Sequence, residues 1–206
     1  TLYINGHKVL MLNASSPEEL DYTQYGIHNA VLIDNTGILR DRDGLSRHFK
    51  AKGIAKVLLT APGKGDIPNI VFGVNERIID YKKETVFSAA SCTTNASAPV
   101  LSVVEREIGI EKGHLETVHS YTNDQNLLDN MHSKSRRGRS APLNLVITET
   151  GAASAVTKII PTLKSKLTGN AIRVPTANVS LVVLNLSLKR ATTKEEINEY
   201  MRQASL

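Results

Sequence analysis

The pentapeptide Ser91-Cys92-Thr93-Thr94-Asn95 holds the only cysteine of the chain, between an apolar run at 85–90 and a helix-like stretch that begins near Asn95. A helix start presents unpaired backbone N–H groups and a partial positive charge, and that environment favours thiolate, the nucleophilic form of cysteine. A lone cysteine is also often just a small buried apolar residue. Three hydroxyls and an amide around one sulfur, however, fit a core badly and an oxyanion or phosphate site well. His119 closes the apolar run 115–118, where a strand terminus can aim a side chain into a cleft. A histidine there can act as the base of an activated thiol, or it can be a structural histidine with its hydrogen bonds satisfied. Further on, Thr150-Gly151 precedes a predicted helix whose first N–H groups would face an anion.

The elements that must position these residues alternate strand and helix in the first part of the chain, which predicts parallel βαβ organisation. Short apolar segments at 8–12, 30–33, 56–60 and 69–72 read as strands. Leu45, His48 and Phe49 stand at helical spacing within 44–52, with Gly53 as the stop. From Ser91 the pattern changes. A helix runs to about residue 110 with Pro99 in its early turns, a strand covers 115–122, and a stretch without regular periodicity continues to about 142. A structureless run of that length inside a domain is usually functional or disordered. A helix at 152–160, a strictly alternating strand at 179–188 and a last helix complete the chain, with Thr193 and Glu196 at capping-box spacing. The expected fold class is α/β: a partial dinucleotide-binding, Rossmann-type parallel sheet followed by an α+β domain with a mixed sheet.

With 206 residues, 41% hydrophobic and 22% charged, and no apolar run long enough for a bilayer, the composition is that of a soluble enzyme of one or two domains. A single cysteine excludes an internal disulfide framework, and Thr1-Leu2-Tyr3-Ile4-Asn5-Gly6 lacks the regions of a secretory signal, so a cytoplasmic setting is expected and no membrane partner. The formal charge of +5 suits anionic substrates, and part of it lies in Lys134, Arg136, Arg137 and Arg139. Only 4% of residues are aromatic and none interleaves with that run, which argues against a stacking platform for nucleic acid.

Four motifs occur in order: Ser91-Cys92-Thr93-Thr94-Asn95, Thr117-Val118-His119, Thr150-Gly151-Ala152-Ala153, and Arg173-Val174-Pro175-Thr176-Ala177-Asn178-Val179-Ser180. In these the chain resembles phosphorylating glyceraldehyde-3-phosphate dehydrogenase, specifically over 87–188. The likeness continues more weakly over 25–75, through Val31-Leu32-Ile33-Asp34-Asn35-Thr36-Gly37 and Asn69-Ile70-Val71-Phe72-Gly73-Val74-Asn75. The opening segment has no G-x-G-x-x-G, and Gly63-Lys64-Gly65 between Pro62 and Pro68 reads as a loop. The chain therefore reads as an internal fragment, or an incomplete version, of a longer enzyme. Residues 1–90 would be the C-terminal part of an NAD(P)-binding domain and 91–206 a catalytic domain without its C-terminal part.

The resemblance implies Cys92 as nucleophile and His119 as its partner and proton carrier. It implies Thr122 and Arg173 on the phosphate ester of the sugar, and Ser91, Thr93, Thr150 and Gly151 about the attacking inorganic phosphate, with Arg137 assisting. Thr36 and Gly37 would touch the cofactor, NAD or NADP, and no metal is expected. The implied substrates are glyceraldehyde 3-phosphate and phosphate, the implied product 1,3-bisphosphoglycerate through a cysteine thioester, and the implied assembly a homotetramer of the complete protein. Erythrose-4-phosphate dehydrogenase, and an inactive or polyanion-binding fragment of the same fold, are the alternatives.

Overall fold

The chain opens with a hairpin in which Leu2–Ile4 (β1) pairs antiparallel with His7–Val9 (β2). Its turn is Asn5-Gly6, with φ of 50° and 80°, the left-handed pair that tight hairpins need. The 8–12 segment is thus a hairpin arm that ends early, and Leu10 and Met11 lie exposed beyond it. The computed structural model describes every residue except Ser135 and Glu149. It falls into two units, residues 1–69 with 79–89, and residues 70–78 with 90–206.

The first unit is organised by a parallel sheet in which Ala30–Asp34 (β3), Ile54–Leu59 (β4) and Val86–Ser88 (β5) lie in the order β3-β4-β5. The helical segment differs from the expected single helix over 44–52. Asp41 caps Gly44 N at 2.8 Å, so Arg42–Ser46 (α1) starts earlier, and a 3₁₀ turn, Arg47–Lys50, follows it. Leu45, Val57, Leu59, Ile67 and Val86 form the core. The expected strand at 69–72 is absent, because the Asn69 side chain takes up local backbone groups: Oδ1 accepts from Gly63 N at 2.9 Å, and Nδ2 donates to Gly63 O and Ile67 O. Such local bonds compete with a ladder, and one bridge to Ser88 is all that forms.

In the second unit Cys92–Glu107 (α2) precedes Ile110–Ser120 (β6), Val146–Thr148 (β7), Ala152–Ile159 (α3), Leu167–Val174 (β8), Leu181–Leu188 (β9) and Lys194–Ala204 (α4). The sheet order is β7-β8-β6-β9, with β6 and β8 parallel and the outer pairs antiparallel. On α2, Thr94, Ser97, Ala98, Leu101 and Val104 recur at helical spacing and bury one face, while Pro99 removes a single helical hydrogen bond. Leu101, Val104, Ile110, Leu115, Val156 and Leu163 belong to one continuous core, to which Val71 also contributes. Each fully buried leucine there stabilises by about 2 kcal/mol relative to exposure.

The fold class is therefore α/β, a partial parallel sheet followed by an α+β unit with a mixed sheet. Strand β8, central in that sheet, has no counterpart among the sequence-predicted strands. In the fold Gly169 allows β8 to lie close against β6: a Cβ there would meet Leu115 O at 2.9 Å. No helix among the described residues is long and apolar enough to cross a membrane.

Candidate active site

Cys92 is the first residue of α2, and the cap that starts this helix is Ser91. Ser91 Oγ accepts from Thr94 N at 3.1 Å and shares a 2.7 Å contact with the Thr94 hydroxyl. The preceding residue, Ala90, is buried at φ 59°, a left-handed conformation that costs a non-glycine residue about 1–2 kcal/mol. The thiol lies exposed at the head of a helix that buries one face. Thr93 Oγ1 stands 3.9 Å from the sulfur, and the Thr93 carbonyl accepts from Ser97 Oγ at 2.7 Å.

His119 projects from the end of β6 and is 9% exposed, with Nε2 at 3.6 Å from Cys92 Sγ. Its other nitrogen, Nδ1, lies 2.6 Å from the Ser120 carbonyl. A carbonyl can only accept, so Nδ1 carries the proton and Nε2 presents its lone pair to the sulfur, the tautomer a base requires. Arg173 comes from β8, whose register sets it directly beside His119. Its Nη1 donates to Ser120 O at 3.1 Å and lies 2.9 Å from His119 Nδ1. Burial first, and the Arg173 charge with it, push His119 below the usual histidine value, against the Ser120 bond that raises it. Arg173 is itself pushed down by burial and by Arg137, with Asp124 and Cys92 opposing.

The remaining residues of the expected phosphate sites are partly committed elsewhere. Arg137 is buried, paired with Asp124, and donates Nε to Thr148 Oγ1 at 3.1 Å. Arg139 is paired with Asp129 at 3.2 Å, so two charges of the basic run are matched by carboxylates; Ser135 of that run lies outside the described residues. Thr122 sits in the loop after β6, its N–H donating to Gln125 Oε1 at 3.3 Å. Gly151 occupies the N-cap of α3 without a side-chain bond, and Thr150 Oγ1 accepts from Ala152 N at 3.1 Å. His119 contacts both Cys92 and Arg173, one on each ring nitrogen; Ser91 and Thr93 share the helix start with the sulfur.

In the first unit, Thr36 and Gly37 follow β3. Thr36 donates through N and Oγ1 to the buried Asp34 carboxylate at 2.8 and 2.6 Å, and His48 Nε2 lies 3.1 Å from the same group. Burial pushes the Asp34 carboxyl up, but these bonds outweigh it and hold the carboxyl below its ordinary value. Gly37 has φ 63°, and its carbonyl accepts from Arg40 Nε at 2.6 Å. Thr36 also lines a cleft of about 470 Å³ with Leu12, Leu20, Leu39 and His48. A cleft at the carboxyl end of a parallel strand is where a nucleotide sits in such sheets.

Sequence reasoning missed three supporting groups: the Ser120 carbonyl, the Gln125 side chain behind Thr122, and Thr148 behind Arg137. The first acts through its main chain and leaves no sequence signal. Gln125 and Thr148 are buried polar residues beside predicted ligands, and that proximity was the available clue.

An exposed thiol at a helix start, faced by the lone pair of a buried histidine, is the arrangement of a cysteine–histidine nucleophile on an α+β scaffold. The family described as glyceraldehyde 3-phosphate dehydrogenase, C-terminal domain, matches residues 91–206, and the chain belongs to that family. It is 60% identical over 206 residues to a glyceraldehyde-3-phosphate dehydrogenase-like protein of Pseudomonas aeruginosa (strain UCBPP-PA14), covering all of this chain and 44% of that protein. Glyceraldehyde-3-phosphate dehydrogenase 2 of Bacillus subtilis (strain 168) is 45% identical over 205 residues, 100% of this chain and 59% of the relative. Glyceraldehyde-3-phosphate dehydrogenase A, chloroplastic, of Zea mays is 46% identical over 202 residues, 98% and 49% respectively. The chain thus spans about half the length of the curated relatives it matches.

Proposed function

We propose that this chain carries the thiol chemistry of a phosphorylating glyceraldehyde-3-phosphate dehydrogenase, an oxidoreductase that uses NAD or NADP in a reducing, cytoplasmic setting. The observation that carries the reading is the 3.6 Å approach of Cys92 Sγ to the lone-pair nitrogen of His119, with the opposite nitrogen tied to Ser120 O.

Cys92 gives its proton to His119 Nε2, and the thiolate adds to the aldehyde carbon. The imidazolium returns the proton to the new oxyanion, forming a thiohemiacetal. The nicotinamide cofactor, when bound, supplies the hydride acceptor for this carbon. His119 takes the hydroxyl proton as the C–H bond breaks, leaving a thioester on Cys92. An oxygen of inorganic phosphate then attacks the thioester carbon and expels the thiolate, giving the acyl phosphate. The N–H groups at the head of α2 face the developing oxyanion, and Arg173 and Thr122 orient the substrate's phosphate ester. Arg137, Thr150 and Gly151 serve the attacking phosphate, and Thr36 and Gly37 the cofactor.

A homotetramer of the complete protein is part of the proposal. On the face of the mixed sheet opposite the helices, Ile147, Ile172, Val118 and Leu181 form one row in register across all four strands. Ile147 and Leu181 are more than half exposed. A self-complementary apolar row of this kind suits an interface with a second copy. Mass measurement in solution tests it, and a monomer at micromolar concentration ends it.

The deciding experiment for the chemistry is alkylation of Cys92 by iodoacetamide at neutral pH, with His119→Asn as the comparison. The wild type is expected to react at least tenfold faster, with a loss of about 10²- to 10⁴-fold in acyl-phosphate formation by the variant. Equal alkylation rates would sink the activated pair.

A further inference from the structure

His119 Nδ1 has two close neighbours of opposite character, the Ser120 carbonyl at 2.6 Å and the Arg173 guanidinium Nη1 at 2.9 Å. A guanidinium can only donate. If Arg173 donated to Nδ1, the imidazole proton would sit on Nε2, facing Cys92 Sγ, and the ring could not take the thiol's proton. The Nδ1 lone pair would also face the carbonyl lone pairs at 2.6 Å. With the proton on Nδ1, both donors meet the one carbonyl, which has two lone pairs and lies 3.1 Å from Nη1. This arrangement satisfies Nδ1 and Nη1 and leaves Nε2 open towards the sulfur. It also holds a fixed positive charge against the ring, so a second proton on His119 is resisted.

The charged and titratable groups about this ring are few. Cys92 comes from α2, Arg173 from β8, and the Asp124–Arg137 pair from the loop after β6. The adjoining part of β7 brings Val146, and the segment before β9 brings only the Ser180 hydroxyl, which accepts from Ser120 N at 3.2 Å. No carboxylate hydrogen-bonds His119 or Arg173 among the described residues. The Arg173 Nε–H is buried and meets no acceptor among the described residues. A buried donor without a partner, on a guanidinium already using its neighbouring nitrogen, marks the side from which an anion would complete the site.

We propose that Arg173 is a positioning residue for His119: with the Ser120 carbonyl fixing the ring's base-competent tautomer, the guanidinium withholds a second proton from the ring until a phosphate group meets it. The inference rests on the reading that a phosphorylated aldehyde is the substrate. Its consequence is that phosphate occupancy releases the histidine for proton transfer, so that unphosphorylated aldehydes leave the base restrained. Burial and the Arg173 charge both act on His119 in the direction this requires.

The test follows the titration of His119 by NMR in ring-labelled protein, with inorganic phosphate as the only added probe. In Arg173→Gln the His119 midpoint is expected to rise by about one pH unit or more. Arg173→Lys, which keeps the charge, is expected to bring it back towards wild type. Saturating phosphate should raise the wild-type midpoint and leave that of Arg173→Gln unmoved. A midpoint in Arg173→Gln equal to wild type overturns the proposal, and so does an equal response to phosphate in both. Should that variant not fold, the wild-type pair of titrations decides: a midpoint unmoved by phosphate overturns the proposal. No aldehyde, nicotinamide or turnover enters the measurement. Failure here is thus separate from failure of the dehydrogenase reading, which the alkylation of Cys92 with and without His119 tests independently.

Discussion

Each unit ends a parallel strand on a buried polar residue, and the two ends are finished in opposite ways. At the end of β3 the Asp34 carboxylate itself is met by Thr36 N, Thr36 Oγ1 and His48, although the far nitrogen of that ring, Nδ1, is buried and finds no partner among the described residues. At the ends of β6 and β8 Arg173 stands against His119 with Arg137 nearby, and among the described residues neither the Arg173 Nε–H nor the buried Thr117 hydroxyl finds a partner. Folding stability favours the first kind of ending. The second persists where a ligand or a reaction supplies what the protein lacks, which is why strained electrostatics point to chemistry and satisfied electrostatics to scaffold. The left-handed Ala90, immediately before the nucleophile's helix, belongs to the same side of this contrast.

The largest effect that could break the comparison is on the satisfied side. Asp34→Ala removes a carboxylate that is 4% exposed and strands the donors it held, and is expected to destabilise the protein by about 2–3 kcal/mol in urea unfolding. The alkylation rate of Cys92 should stay at its wild-type value. A slowed rate would mean that the first unit tunes the thiol, and that scaffold and site are not separable as argued.

A smaller effect comes from pH. The folded value of His119 lies below its ordinary value, so on acidification the unfolded chain takes up this proton first. The stabilisation from the neutral ring is complete above the ordinary histidine value near 6.5 and is lost as pH falls through that value towards the lower, folded one. In urea titrations between pH 7.5 and 5 the wild type should lose more stability than His119→Asn. Parallel curves would place the ring in an environment no different from water.

How far the sequence revealed this contrast depends on the kind of signal each part leaves. Cys92 and His119 were legible, because a lone thiol among hydroxyls and a histidine closing an apolar run are patterns of residue type. The alternating strand near 181–188 and the Thr193 cap were legible for the same reason, and Thr193 does accept from Glu196 N at 3.2 Å. Strand β8 was not: Gly169 there serves close approach to Leu115 O, a requirement set by a residue more than fifty positions away. The expected 69–72 strand did not form because Asn69 spends its amide on Gly63 and Ile67, a choice of side-chain bonds that composition does not encode. Arg173 was expected as a phosphate ligand by resemblance alone. Its contact with His119 follows from the parallel register of β6 and β8, which no local pattern carries.

The smallest effect sharpens the comparison at one atom. Thr117 is 1% exposed, lies two residues before His119 on the same face of β6, and is flanked in register by Ala171 and Val182. Its hydroxyl finds no partner among the described residues. A buried hydroxyl without a hydrogen bond costs about 1–3 kcal/mol, and valine occupies nearly the same shape without that cost. Thr117→Val is therefore expected to stabilise the protein by about 1 kcal/mol in urea unfolding, with the Cys92 alkylation rate unchanged. A loss of stability instead would show that the hydroxyl is bonded in solution, and would move Thr117 from the under-satisfied end of the molecule to the satisfied one. A gain in stability with slower alkylation would be more informative, because it would make the Thr117 hydroxyl part of the polar setting that His119 and the sulfur require.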